Sequence, residues 1–199
     1  MTPQEIGKAY DQIADRWDSD RFNRNNGIVQ HERAIGFAEK RRTALDVGCG
    51  SSGRLIDLLI AYGFEVDGID ISKEMLVRAE RRHPDVKFYH EDICLWEIPR
   101  TYDFITAWDS IWHVPLTLHG HVLKKLFASL NSGGVCIFSA GGLDSADEMT
   151  DSYMGPEVYY ATLGVPRLLK VVSEASCICR HLEYDQYPEN HVYFIVQKT

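Results

Sequence analysis

An α/β fold built on a mostly parallel sheet, with helices on both faces, is what this sequence predicts, and three observations predict it. Short β-branched or aromatic runs recur at 43–47, 65–70, 86–89, 102–107 and 134–140, and helical patterns fill intervals at 54–62, 72–82 and 118–130. Several of the short runs are apolar on both faces, as strands covered from two sides are. The 199 residues, 45% hydrophobic and 25% charged, suffice for one domain with a real core and exclude collagen, disorder and a disulfide miniprotein.

The elements follow in order. Residues 3 to about 40 read as helical, with Ile6, Tyr10, Ile13 and Trp17 at near-helical spacing. In 54–62, Leu55, Leu58, Leu59 and Tyr62 fall at i, i+3, i+4 and i+7, one apolar face, and Gly63 stops the helix. Ser72 is a good N-cap for the next helix, whose buried side is Met75, Leu76 and Ala79. The helix at 118–130 closes at Asn131-Ser132-Gly133-Gly134, a turn into the fifth strand. Segment 141–156 is polar and glycine-bearing and is expected to be a mobile loop. A helix over 165–175 carries Pro166 in its first turn, and two strands near 178–184 and 192–197 end the chain as a hairpin. No repeat or linker interrupts the chain, which reads as a single domain, 1–199, with a helical N-terminal part at 1–40.

Composition narrows the functions. Asp and Glu number 29 against 21 Lys and Arg, a formal charge of −8, which argues against a nucleic-acid partner. No run approaches the roughly 18 apolar residues that cross a bilayer, and the first ten residues lack the layout of a secretion signal. Cys49, Cys94, Cys136, Cys177 and Cys179 are an odd, scattered set, read as reduced core residues of a cytoplasmic protein, and no Cys/His grouping completes a metal site.

The most informative segment is 43–55, TALDVGCGSSGRL. A buried strand ends in Gly48-Cys49-Gly50-Ser51-Ser52-Gly53, and a helix follows at once. Glycines there permit a tight turn and let a ligand approach main-chain atoms. Asp70 lies at the roughly 20-residue spacing from Gly50 at which a carboxylate accepts both ribose hydroxyl protons. The same pattern also fits a nicotinamide dinucleotide, but Asp46 beside the loop would crowd a pyrophosphate and suits a positively charged ligand group instead. Asp92, just after the third strand, is placed to accept from an adenine amino group while Ile71 and Ile93 flank the ring.

With these residues the chain resembles the class I S-adenosylmethionine-dependent methyltransferases, strongly over about 44–134. LDVGCG (45–50) is similar to that family's first motif, GIDIS with Met75-Leu76 to its second, Glu91-Asp92-Ile93 to its third, and YDFITAWDSIWHV (102–114) to its fourth. LNSGG (130–134) corresponds to the turn before its fifth strand, with serine where proline is common. The resemblance implies a Rossmann-like, doubly wound sheet of seven strands, order 3-2-1-4-5-7-6, with strand seven antiparallel. It implies that Asp46, Gly48, Cys49 (by its backbone), Gly50, Asp70, Ile71, Met75, Asp92, Ile93 and Trp108 line S-adenosyl-L-methionine, with S-adenosyl-L-homocysteine as product. The extra serine between Gly50 and Gly53 makes Gly53 a weaker contact. Tyr10-Asp11-Gln12-Ile13-Ala14-Asp15-Arg16-Trp17 resembles the segment that covers the methionine end in relatives, so Tyr10 is expected there and 1–40 forms a cap. Arg21 and Arg24 are candidates for the methionine carboxylate.

The expected reaction is methyl transfer to an oxygen or nitrogen of a small molecule by in-line displacement, where the protein positions the partners and excludes water. An acceptor that keeps its proton profits from a base, and His113, at the mouth of the cleft after strand four, is the first candidate, with Asp109 second. His119 and His121 read as a solvated helix start. Base-amino methylation is disfavoured because Ala107-Trp108-Asp109-Ser110 replaces the Asn- or Asp-Pro-Pro-aromatic tetrad, and cytosine chemistry because no Pro-Cys pair exists. The acceptor wall is placed in 141–165, a lid bearing Tyr153, Met154, Tyr159 and Tyr160, and the protein is expected to be a monomer or homodimer. Two other readings stay open here: a non-catalytic S-adenosylmethionine-binding regulator and a NAD-dependent oxidoreductase.

Overall fold

Alternating β-branched and helical segments settle into one sheet with a helical layer on each side. A computed structural model describes residues 1–19 and 22–199. Seven strands form the main sheet: β1 (Thr43–Val47), β2 (Glu65–Asp70), β3 (Lys87–His90), β4 (Tyr102–Ala107), β5 (Leu130–Gly141), β8 (Cys177–Tyr184) and β9 (His191–Lys198). Their order is β3-β2-β1-β4-β5-β9-β8. The first five run parallel, and β9 is antiparallel to both β5 and β8. This is the expected topology once the extra hairpin, β6 (Asp147–Asp151) and β7 (Val158–Thr162), is set aside.

Each face of the sheet has its own core. On one, α2 (Ile28–Ile35), α3 (Arg54–Ala61) and α4 (Lys73–Arg82) bring Ile35, Ile56, Leu59 and Leu76 onto Phe104, Ile137 and Ile195. On the other, α5 (His119–Ala128) and α6 (Val165–Glu174) lay Leu123, Leu126, Phe127, Leu168 and Val172 over Ile105, Cys136 and Phe138. Each such side chain contributes roughly 1.5–3 kcal/mol of burial. Ser72 caps α4 as expected, its hydroxyl accepting from the Met75 N–H at 3.2 Å. The free cysteines are mostly buried among apolar neighbours.

The N-terminal part departs from one continuous helical stretch. It forms α1 (Pro3–Asp11), started by a Thr2–Glu5 capping box, then a 3₁₀ turn at Ala14–Asp18, then α2. Gly27, at φ 83°, opens α2, because an L side chain there would meet the Trp108 ring at 2.9 Å.

Segment 141–156 was expected to be a mobile loop and is not. Most of it belongs to the β6–β7 hairpin, whose buried side (Val158, Tyr159, Ala161) packs on Ile6 and Ala9 of α1. The polar sequence misled because β6 is exposed along nearly its whole length, so only β7 needed apolar residues. His119 also differs from expectation: it is 2% exposed and bonds the Val114 carbonyl at 2.8 Å.

Candidate functional site

The carboxyl ends of β1, β2 and β4 open into a cavity of about 400 Å³, at the point where chain order reverses from β1–β2 to β1–β4. Parallel α/β sheets bind ligands at such a switch point. One wall is backbone. Gly48 and Cys49 donate their N–H groups to the Ile69 carbonyl at 2.8 and 3.1 Å, which folds the loop across the end of β2. Gly48 (φ 71°) could not carry a side chain, since its Cβ would lie 2.4 Å from that of Ser110. Gly50 (φ 57°) lines the cavity, and no atom lies within 4 Å of where its Cβ would stand. Gly53 is not in the lining; it lets His83 and Arg82 approach α3.

Asp70 is fixed by this loop. One carboxylate oxygen accepts from the Gly50 N–H and the other from the Ser72 N–H, both at 2.8 Å. Burial raises its pKa, while the Ser72 and Gly50 amides oppose the rise. Asp92 is held similarly, through the Cys94 N–H at 2.8 Å and the Gln4 amide at 3.3 Å. Ile71, Met75 and Ile93 supply apolar surface between the two carboxylates. Asp46 stands behind this wall, and the lining begins with Val47. It is 2% exposed, and burial pushes its pKa up to about 7, against the pull of Arg54 and with the push of Asp70.

The opposite wall is made of side chains. Tyr10, Trp108, Asp109, Trp112, His113, Met154, Tyr160 and His191 all face the cavity. His113 Nδ1 lies 2.8 Å from the Tyr159 carbonyl oxygen, which can only accept, so that nitrogen carries the proton. Its Nε2 then accepts from the Tyr10 hydroxyl at 2.7 Å and from the Trp112 indole N–H at 3.0 Å. Burial lowers the His113 pKa to about 4, so the ring is neutral at pH 7. The lone pair expected to serve a reaction is thus already engaged twice.

A second cluster was not anticipated. His191 Nδ1 donates to Asp185 at 2.5 Å, and Nε2 donates to Asp109 at 3.1 Å. Only the imidazolium has both protons. Burial opposes that charge, and the bonds to Asp109 and Asp185 overcome it, leaving the pKa raised. Asp109 also accepts from the Asn26 amide at 2.9 Å and lies 4.0 Å from Arg54. It holds φ 54°, a left-handed conformation uncommon outside glycine that Asp and Asn tolerate best. Arg54 itself lines the cavity, and burial lowers its pKa against the attraction of Asp109 and Asp46.

Sequence reasoning missed Arg54, Asp185 and His191. For Arg54 a signal existed: a cation in the first turn of a helix opposes the helix dipole, so its place there asks for another reason. Nothing local marks His191, whose partner Asp109 is 82 residues away. Of the expected acceptor wall, only Met154 and Tyr160 reach the cavity. Tyr153 is 94% exposed, and Tyr159 turns its hydroxyl to Glu148. Arg24 is also outside the lining, bonded to the Ser52 carbonyl at 2.7 Å, and Arg21 lies outside the described residues.

Comparison with known proteins places this geometry. The family described as "Methyltransferase domain" matches residues 44–134. The ubiquinone biosynthesis O-methyltransferase of Vibrio cholerae is 29% identical over 191 residues, which cover 88% of this chain and 71% of that protein. A dTDP-3-amino-3,6-dideoxy-alpha-D-glucopyranose N,N-dimethyltransferase of Streptomyces fradiae is 34% identical over 118 residues, 55% of this chain and 42% of its own. In fold, the chain superimposes on an S-adenosylmethionine-dependent methyltransferase of Clostridium acetobutylicum with a TM-score of 0.75 at 16% identity, over 95% of this chain and 98% of that one.

Proposed function

We propose that the chain, similar over residues 44–134 to the methyltransferase domain family and in fold to an S-adenosylmethionine-dependent methyltransferase, transfers the methyl group of S-adenosylmethionine to an oxygen or nitrogen of a small molecule by in-line displacement. The observation that carries this reading is the lining itself: an open glycine cradle and the half-buried Asp70 carboxylate at one end, an aromatic wall at the other. The donor set suits the cofactor. Asp70 has fixed acceptor oxygens for a ribose diol, and Asp92 with Ile71, Met75 and Ile93 offers an acceptor and apolar faces for an adenine. Gly48, Cys49 and Gly50 lend main-chain atoms, Trp108 and Tyr10 flank the remainder, and Arg54, in place of Arg24, is a cation for the methionine carboxylate. Asp46 acts on the amino group through space from behind the lining.

When bound, the cofactor supplies a methyl group on a sulfonium and a neutral thioether as leaving group. The chain's own residues orient and enclose. Burial holds His113 neutral, Tyr10 and Trp112 occupy its lone pair, and His113 in turn fixes the Tyr10 hydroxyl at the cavity wall. That makes His113 a positioning group, and Asp109, 29% exposed at its side chain, the carboxylate that meets the acceptor. The β6–β7 hairpin, with α1, forms the acceptor-side cover over a single domain. Five free cysteines suit the cytoplasm, and the acidic charge suits a small-molecule partner in place of nucleic acid. Among the described residues no helix is long and apolar enough to cross a membrane.

Calorimetric titration tests the reading. S-adenosylhomocysteine should bind and NAD should not; heat from NAD alone would make the protein a dinucleotide enzyme. Transfer of a labelled methyl group into a metabolite extract separates an enzyme from a binding protein that lacks turnover.

A further inference from the structure

We propose that the acceptor is a protonated amine received beside Asp109, a reading that rests on the methyl transfer proposed above and narrows it to nitrogen. Among the described residues, the cavity lining carries Asp70, Glu91, Asp92, Asp109 and Glu189 against Arg54 and His191. S-adenosylmethionine brings one net positive charge, from its carboxylate, ammonium and sulfonium together. With the cofactor in place, the lining therefore keeps an excess of negative charge in a partly closed space, where Coulomb forces are stronger than in water. Asp151, on the hairpin, adds to the same field, since it acts on Tyr10, His113 and Tyr160. A cationic acceptor relieves this excess. A phenolate or carboxylate would increase it.

Placement agrees with charge. Asp109 is clamped from behind by Ser139, His191 and Asn26, and the first two of these sit on strands β5 and β9. His191 is itself anchored by Asp185, whose second oxygen accepts from Gln30 at 2.7 Å. The chain thus holds a carboxylate in an uncommon backbone conformation at the cavity lining, its side chain 29% exposed. Such strain is characteristic of ligand clamps. Tyr160 and Trp112 line the same cavity, and aromatic rings attract ammonium groups. In the step itself the ammonium first yields a proton to solvent through the Asp109 carboxylate. The freed nitrogen lone pair then forms the N–C bond as the C–S bond breaks, and that electron pair stays on sulfur. The products are a methylated ammonium, a thioether and the one released proton.

The test uses three probes of one size and different charge: benzylamine, benzyl alcohol and benzoate, titrated into the protein saturated with S-adenosylhomocysteine at pH 7.5. Benzylammonium should bind about tenfold or more tightly than either of the others. Asp109→Asn, which tolerates the same backbone conformation, should shrink that preference, and Glu189→Gln, on an exposed turn, should shrink it by less. Equal or tighter binding of the alcohol or benzoate overturns the proposal, as does absence of benzylammonium binding or a preference unmoved by Asp109→Asn. If S-adenosylhomocysteine itself fails to bind, the methyltransfer reading falls first and this one with it.

Discussion

The two walls of the cavity are built in different ways. The wall at the ends of β1, β2 and β3 draws on three short stretches, 48–50, 70–75 and 91–94, and its carboxylates are held mainly by neighbouring main-chain N–H groups. The opposite wall collects Tyr10, Asp109, His113, Tyr160 and His191 from separate parts of the chain. Its key bonds join side chains across separations of 82 and 103 residues. The first wall is therefore set mainly by local backbone geometry. The second depends on the whole fold being assembled and is where one member of a family can differ from another.

The largest effects should come from breaking the backbone wall. Gly48→Ala forces an L side chain to φ 71° and into Ser110, so thermal unfolding should show a loss of about 2–3 kcal/mol together with failure to bind S-adenosylhomocysteine. Asp70→Ala removes the acceptor that the Gly50 and Ser72 amides hold in place. Its affinity for S-adenosylhomocysteine should fall about 100-fold by calorimetry, the size of two charge-assisted hydrogen bonds. An affinity within threefold of the unmodified protein would show that the nucleoside lies elsewhere.

This difference also explains what could be read from the sequence. The strands, the helices and the backbone wall were legible because each rests on a local pattern: Leu55, Leu58 and Leu59 mark a helix face, and Gly48 and Gly50 mark a turn between strand and helix. The order of the sheet came from the family resemblance alone. The β6–β7 hairpin was illegible because its partner, α1, lies more than a hundred residues earlier and supplies the apolar surface that fixes β7. His191 and Asp185 were illegible for a related reason, since a salt-bridge chain leaves no periodicity. Asp46 was read as a cofactor contact beside the loop, and the structure buries it behind the lining. Its position behind the lining depends on the outward turn of Val47 and Gly48, which spacing does not encode.

Asp46 sharpens the comparison through pH. Its pKa in the folded chain is about 7, whereas an unfolded aspartate titrates near 4. The folded state therefore holds the extra proton between those values, and stability falls as pH rises from about 4 to 7. Asp46→Asn cannot lose a proton, so its stability relative to the unmodified protein should improve over that window, by roughly 2–4 kcal/mol if the whole shift is expressed. Urea unfolding at pH 5 and pH 8 measures it. A constant difference between the two proteins at both values would mean that Asp46 does not titrate there.

On the side-chain wall the pH dependence has the same sign, in a window that begins higher, near the ordinary histidine value. His191 has a raised pKa, so its stabilisation is complete below about 6.5 and is lost as pH climbs through the folded value. His191→Gln should cost on the order of 1–3 kcal/mol at pH 6, by exposing Asp109 and Asp185 to each other, and distinctly less at pH 9. If the loss is the same at both values, the ring is neutral in the folded chain and the clamp on Asp109 is a neutral hydrogen bond.

The smallest effect separates positioning from proton transfer. Tyr10→Phe removes one of the two donors to His113 Nε2 and leaves the Trp112 N–H in place. Because that ring is already neutral, with a pKa of about 4, losing the hydroxyl should not switch its charge near pH 7. The consequence should be looser placement: kcat lower by about fivefold, S-adenosylhomocysteine affinity within twofold, and an unchanged pH profile between 6 and 9. A base role for His113 requires a different outcome. Freed of one donor, its lone pair would become available to the acceptor, kcat would hold or rise, and the profile would gain a limb where the ring titrates.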